Sequence, residues 1–147
     1  MVASEKRWKL SIDRAHLDHA KIVQVPRSAG DLAPGEVELR LGRFAMTANN
    51  VTYALLGDSF GGLKIAGGYW DFFPGEPDEG LLPVWGLADI VHSTTEGLEP
   101  GSRIFGIFPL ASHVRMQPDA IRPTSFIDAV PHRRALPAVY QQYTRMP

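Results

Sequence analysis

Cysteine is absent from the 147-residue chain, which excludes disulfides, thiolate nucleophiles and cysteine-ligated zinc together. Neither sign of charge dominates: 15 Lys and Arg stand against 16 Asp and Glu, so no bulk field recruits nucleic acid or an anionic membrane. Long apolar runs are also missing, and no window approaches the roughly 20 residues that a membrane-spanning helix needs. The opening stretch MVASEKRWKLSIDRAH lacks the apolar core and cleavage site of a secretory leader. A cytoplasmic location is expected, and the Asn50-Val51-Thr52 glycosylation sequon reads as coincidence. What remains, 44% apolar and 21% charged residues, is the composition of a globular domain with its own core.

Turn-formers are plentiful, with 14 Gly and 12 Pro, and the segments between them are short. RWKLSID and AKIVQVP alternate as half-buried strands do, joined by a helical turn or a hairpin connection. After the turn at Ala33-Pro34-Gly35-Glu36 a long strand is expected, with Val37, Leu39 and Leu41 on one side and a bulge at Gly42. NNVTYALLG fits either a strand or a helical turn. The stretch from Gly57 to Leu82 reads as a long ordered loop around the aromatic run Tyr69-Trp70-Asp71-Phe72-Phe73. VWGLADIVHST, RIFGIFP and ASHVRMQP read as three strands. In the tail, Leu136, Val139, Tyr140 and Tyr143 recur at helical spacing, which predicts a C-terminal helix with an uncovered apolar stripe. The expected class is mainly β: a barrel over residues 1–130 followed by a helix over 131–147.

Gly57-Asp58-Ser59-Phe60-Gly61 spells the G-x-S-x-G of a nucleophile elbow. That motif needs a buried strand before the serine and a helix directly after it. GGLKIAGG follows instead, too rich in glycine to hold a helix, so a flexible turn is the better reading. His16 and His19 stand three apart and could share a metal on a helical face, but no third ligand has convincing spacing, and no metal is expected. No Walker A loop and no G-x-G-x-x-G occurs, so the chain has no dinucleotide-binding unit of its own.

The order of features from Gly35 to Pro118 carries a resemblance. AMTANNVTYALLGD is similar to an A-x-x-x-N-x-x-D stretch, with Asn49 at the asparagine and Thr52 at the aspartate. Pro83, Ala88 and Val91 fall on a P-G-x-E-x-A-G-x-V strand. Gly101-Ser102-Arg103-Ile104 stands for G-D-R-V, and Ala111-Ser112-His113-Val114 with Pro118 stands for A-E-Y-V-V-V-P. These motifs resemble the N-terminal GroES-like β-barrel of medium-chain dehydrogenase/reductases. More narrowly, TANNVTYA, YWDFFP, PVWGLADIV and SFIDAVPHR with LPAVY resemble an uncharacterised branch known only as a domain of unknown function.

The resemblance implies a zinc-independent member, because Trp85-Gly86 occupies the positions of a zinc-site His-Glu. It implies the substrate-binding half of an NADPH-linked reductase, inactive as a lone dehydrogenase, with NADPH bound only if the chain pairs with a Rossmann domain. Asn49 and Thr52 would stand beside the cofactor, and Tyr53 would give a proton to a developing oxyanion. Tyr69, Trp70, Asp71, Phe72 and Trp85 would line the site of a small apolar or carbonyl-containing ligand. Leu136, Val139, Tyr140 and Tyr143 would face a Rossmann partner or a second copy. The alternative is a free-standing barrel that binds a small apolar ligand or a protein without redox chemistry.

Overall fold

Alternation is clearest in Pro83–Ser93, where Val84, Gly86, Ala88 and Ile90 are buried and the residues between them are partly exposed. The pleat of a β-strand sends successive side chains to opposite faces, so such a segment covers a core with one face only. The computed structural model describes residues 5–26, 31–58, 68–134 and 136–147, and two antiparallel sheets account for most of its order. In chain order the strands are β1 (Arg7–Asp13), β2 (His16–Val25), β3 (Val37–Phe44), β4 (Glu79–Leu81), β5 (Pro83–Ser93) and β6 (Arg103–Pro109). They continue as β7 (His113–Met116), β8 (Pro118–Asp119), β9 (Ser125–Asp128) and β10 (Gln142–Arg145). A single α-helix among the described residues, α1, spans Ala48–Leu55.

The larger sheet runs β7-β3-β5-β6-β10-β9-β8. Its two ends are consecutive pieces of chain, because only Gln117 separates β7 from β8. Gln117 itself is tied to β9, its N–H donating to Asp128 Oδ1 at 3.0 Å and its carbonyl accepting from Ala129 N at 2.9 Å. The sheet therefore nearly closes into a barrel, which shields edges that would otherwise pair with other chains. Val37, Leu39, Ile90, Ile104, Phe108, Met116, Phe126 and Tyr143 fill the interior. The smaller sheet, β2-β1-β4, joins the barrel through Leu10 N to Leu110 O (2.9 Å) and Ser112 N to Trp8 O (2.8 Å).

The mainly β, barrel-like class expected from the sequence is the one observed, and the β3 register shifts across Gly42 as a bulge there requires. NNVTYALLG resolves to helix. Thr47 caps α1 by accepting from Asn49 N, and Asn50 Oδ1 accepts from Thr47 N at 2.7 Å.

The tail differs from its expectation. Two 3-10 turns, Pro131–Arg133 and Ala138–Tyr140, lead into β10, which lies between β6 and β9. Pro137 interrupts the helical stripe, since proline offers no N–H and restricts the residue before it. The Tyr143 ring, 0% exposed, is the larger attraction. Its hydroxyl donates to Ile107 O at 2.6 Å, and the ring lies where a side chain on Gly106 would clash, 2.3 Å from its Cδ1. The four stripe residues thus share no face: Leu136 and Tyr143 are buried, Tyr140 is half-buried and Val139 is 58% exposed.

Candidate functional site

Four aromatic side chains that carry a hydroxyl or an indole N–H converge from four elements. α1 presents Tyr53, the 3-10 turn Tyr69–Asp71 presents Tyr69, β5 presents Trp85, and the turn before β10 presents Tyr140. Tyr53 and Tyr69 stack with ring centroids 4.3 Å apart. Trp85 Nε1 donates to the Tyr53 hydroxyl at 3.3 Å, and the Tyr69 and Tyr140 hydroxyls are 3.3 Å apart. Phe72, fully buried, fills the base between Tyr69 (5.0 Å) and Tyr140 (4.9 Å). Phe105 of β6 stacks on the outer side of Trp85 at 6.0 Å and is partly exposed.

Burial raises the Tyr69 phenol well above its ordinary value, and the Tyr140 hydroxyl adds to the effect. Tyr69 is therefore a neutral hydroxyl at physiological pH, able to donate or accept but not to act as an anionic base. Tyr53 is placed differently. Its oxygen accepts from the indole, so its own proton remains available to another acceptor.

Of the residues proposed from the sequence, Tyr53, Tyr69, Phe72 and Trp85 come together here. Trp70 packs into another cluster with Ile12, Leu82, Val84 and Leu110, and is 2% exposed. Its indole lies over Gly57 and Gly80, where a Cβ would meet ring atoms at 2.0 and 2.6 Å. Asp71 is exposed, and its carboxylate accepts from Gly68 N at 3.1 Å, closing the 3-10 turn. Asn49 and Thr52 are exposed on α1. The buried asparagine is the neighbour, Asn50, whose Nδ2 donates to Pro83 O at 3.0 Å. Ser59 lies outside the described residues. The sequence presents Tyr140 only as a partner-facing residue. No local signal could have placed it against Tyr69, which is 71 positions away.

A second feature lies between β1 and the tail, a cleft of about 360 Å³. Trp8, Phe73, Leu81, Val114 and Val130 contribute apolar wall, and Arg7, Glu38, His113, Arg115, Asp128, His132 and Arg133 bring charge or polarity. Glu38 is held by both Arg7 nitrogens (3.0 and 2.8 Å) and by Arg115 Nε at 3.4 Å. Burial is the largest single influence and works to raise the Glu38 carboxyl, but the hydrogen bonds and charge of Arg7, with the Arg115 hydrogen bond, together hold it below the ordinary value. Arg133, 0% exposed, pairs with Asp128, donates to the Tyr143 hydroxyl at 2.8 Å and lies 4.7 Å above the Phe73 ring. Among the described residues its Nε has no hydrogen-bond partner. His113 and His132 are both lowered, mainly by burial and then by the charges of Arg7 and Arg133 respectively.

The third ligand that the His16–His19 pair lacked in the sequence is Asp13, delivered across the hairpin. The register of β1 against β2 slips after Ile12, so Asp13 faces His16 and the histidine rings stack at 5.1 Å. The ligand atoms of the three lie within 4.8 Å of one another on the surface.

Fold and site together define a mainly β, barrel-like domain that carries a hydroxyl-bearing aromatic cluster. No helix among the described residues is long and apolar enough to cross a membrane. Residues 44–147 match the family described as "Protein of unknown function (DUF2855)", and the chain belongs to that family. The match begins at the last residue of β3 and takes in α1, all four cluster aromatics and the tail, but not the β1–β2 hairpin. No curated protein matches the chain.

Proposed function

We propose that the chain is a GroES-like barrel serving as the substrate-binding half of a zinc-independent, NADPH-linked reductase of the medium-chain dehydrogenase/reductase type. The observation that supports this reading best is the convergence of Tyr53, Tyr69, Trp85 and Tyr140 from four separate elements. Aromatic walls with a few placed polar groups suit a flat apolar ligand bearing a carbonyl, such as a quinone or enone. NADPH, held by a Rossmann domain, would supply the hydride. The chain's own described residues do not fit the dinucleotide, because they offer no strand–glycine turn–helix to hold its phosphates. Their part is to bind the ligand and to hold a proton. The indole of Trp85 fixes the Tyr53 oxygen, so that the Tyr53 proton points toward a carbonyl oxygen of the ligand. Asn49 and Thr52, on the exposed side of α1, would meet the cofactor domain.

Titration of the purified chain with 1,4-naphthoquinone, followed by tryptophan emission, tests the reading. Saturable quenching is expected, weakened about tenfold or more in Trp85→Ala, which removes an aromatic wall and an N–H donor. Tyr53→Phe should weaken binding less, since it removes the hydroxyl and keeps the ring. NADPH and NADH should not bind the chain alone. If Trp85→Ala and Tyr53→Phe bind like the parent chain, the cluster is not the ligand site.

A second reading, a barrel that binds a small apolar ligand without redox chemistry, is favoured by the apolar-walled cleft beside β1.

A further inference from the structure

The β1–β2 hairpin brings two imidazoles and a carboxylate together through a break in its own ladder. Ile12 pairs with Ala20 and Asp13 with His16, so Leu17, Asp18 and His19 have no counterpart on β1. In an unbroken strand, residues three apart point to opposite faces, and His16 and His19 would be kept apart. The unmatched residues undo that alternation, and the two rings stack with centroids 5.1 Å apart. Asp13 meets them from β1, its Oδ2 lying 3.4 Å from His16 Nδ1. The other carboxylate oxygen accepts from Ala15 N at 2.8 Å, which orients the group and leaves Oδ2 turned toward the imidazole.

Ligands of these types select the ion they suit. Imidazole nitrogen is a donor that zinc, copper and nickel prefer, whereas magnesium and calcium take oxygen. Tetrahedral ligands at about 2.0–2.1 Å from zinc stand about 3.4 Å from one another. Asp13 and His16 already have that separation, and the ligand atoms of all three residues lie within 4.8 Å of one another. Because the three side chains are exposed, the remaining gap of about 1–1.5 Å closes by rotation about side-chain bonds. The surroundings also favour a cation. An adjoining cleft of about 590 Å³ is lined by Asp13, Asp18, His19, Glu76, Asp78 and Glu79, with Lys21 the one permanent cation among the described residues of its lining. Lys9 offsets Glu79 at 2.6 Å, and the cleft as a whole stays negative.

We infer that Asp13, His16 and His19 bind a divalent transition-metal ion of the zinc class, with a fourth position open to water. The inference goes beyond the reductase reading and does not depend on it. None of the three residues belongs to the tyrosine cluster, and the hairpin that carries them lies outside residues 44–147.

Calorimetric titration of the tag-free 147-residue chain with Zn²⁺ at about pH 7.5, where histidine is mostly neutral, tests the site. Saturation at one equivalent is expected, with no saturable heat from Mg²⁺. His16→Ala and His19→Ala should each weaken zinc at least tenfold, since losing even a group that only supports a ligand costs about 10–100-fold. Asp13→Asn, which keeps the shape and removes the charge, should weaken it about tenfold. His92→Ala, at another exposed histidine, should bind zinc like the parent chain. No saturable zinc binding, or an affinity unchanged in His16→Ala and His19→Ala, would overturn the site. An equal loss in His92→Ala would do the same, because it would mark scattered binding to surface histidines. Losses in both hairpin histidine variants with none in Asp13→Asn would overturn Asp13 as the third ligand.

Discussion

Neighbouring asparagines show how finely role is divided at the scale of single residues. Asn49 and Asn50 are indistinguishable by composition, yet only Asn50 turns inward, where it closes the α1 capping box and donates to Pro83 O. Asn50→Ala should cost about 2–3 kcal/mol, the loss of a cap plus a buried carbonyl left unpaired. Asn49→Ala should stay within about 0.5 kcal/mol, as exposed positions usually do. Urea unfolding of the two variants measures both. Comparable losses would show that the helix start is misassigned. Trp70 and Phe72 make a similar contrast: one turn of chain sends the first into the cluster under β1 and the second under the tyrosines.

Among elements, β10 contributes most beyond its length. It has only four residues, yet it is the pairing partner of both β6 and β9, and it carries Tyr143 into the barrel. Removal of residues 142–147 would expose the facing edges of β6 and β9 and empty the space under Gly106. The truncated chain should lose its cooperative thermal transition or aggregate, because a barrel opened at one position has two unpaired edges and a hollow core. A cooperative transition close to that of the whole chain would show that β10 is peripheral. The expectation of a helix here failed for an instructive reason. Apolar spacing of three and four is shared by a helix and by a chain that folds back on itself through 3-10 turns, and Pro137 was the one residue that argued against the helix.

For the molecule as a whole, the ionisable groups shifted by their surroundings set the response to acid. His113 and His132 titrate below the unfolded value of 6.5, so protons bind the unfolded chain first. Their contribution is complete above about pH 6.5 and is lost as pH falls through their lowered folded values. Glu38 and Glu79 are likewise below the ordinary 4.5, and their contribution drains away as pH drops from there through their folded values. Stability should therefore fall in two stages on acidification, one starting near pH 6.5 and one near pH 4.5. Denaturant midpoints at pH 7.5, 5.5 and 4 should decrease in that order. His132→Asn should flatten the first stage, and a midpoint that rises between pH 7.5 and 5.5 would contradict the placement of both histidines.

Much of this architecture is legible in the sequence. Alternation in residues 83–93, turn-formers between short segments and the bulge at Gly42 are local properties, written in neighbouring side chains and backbone preference, and they determined a mainly β chain. Of the aromatic run at residues 69–73, only Tyr69 and Phe72 join the tyrosine cluster. Long-range pairing was not legible, because it depends on which surfaces meet after collapse. Tertiary structure alone decided that Tyr140 meets Tyr69, that Arg7 and Arg115 share Glu38, and that β7 and β8 close the sheet through a single residue. Each of these contacts gains its energy from burial and pairing across tens of positions, and a one-dimensional pattern carries no term for that distance.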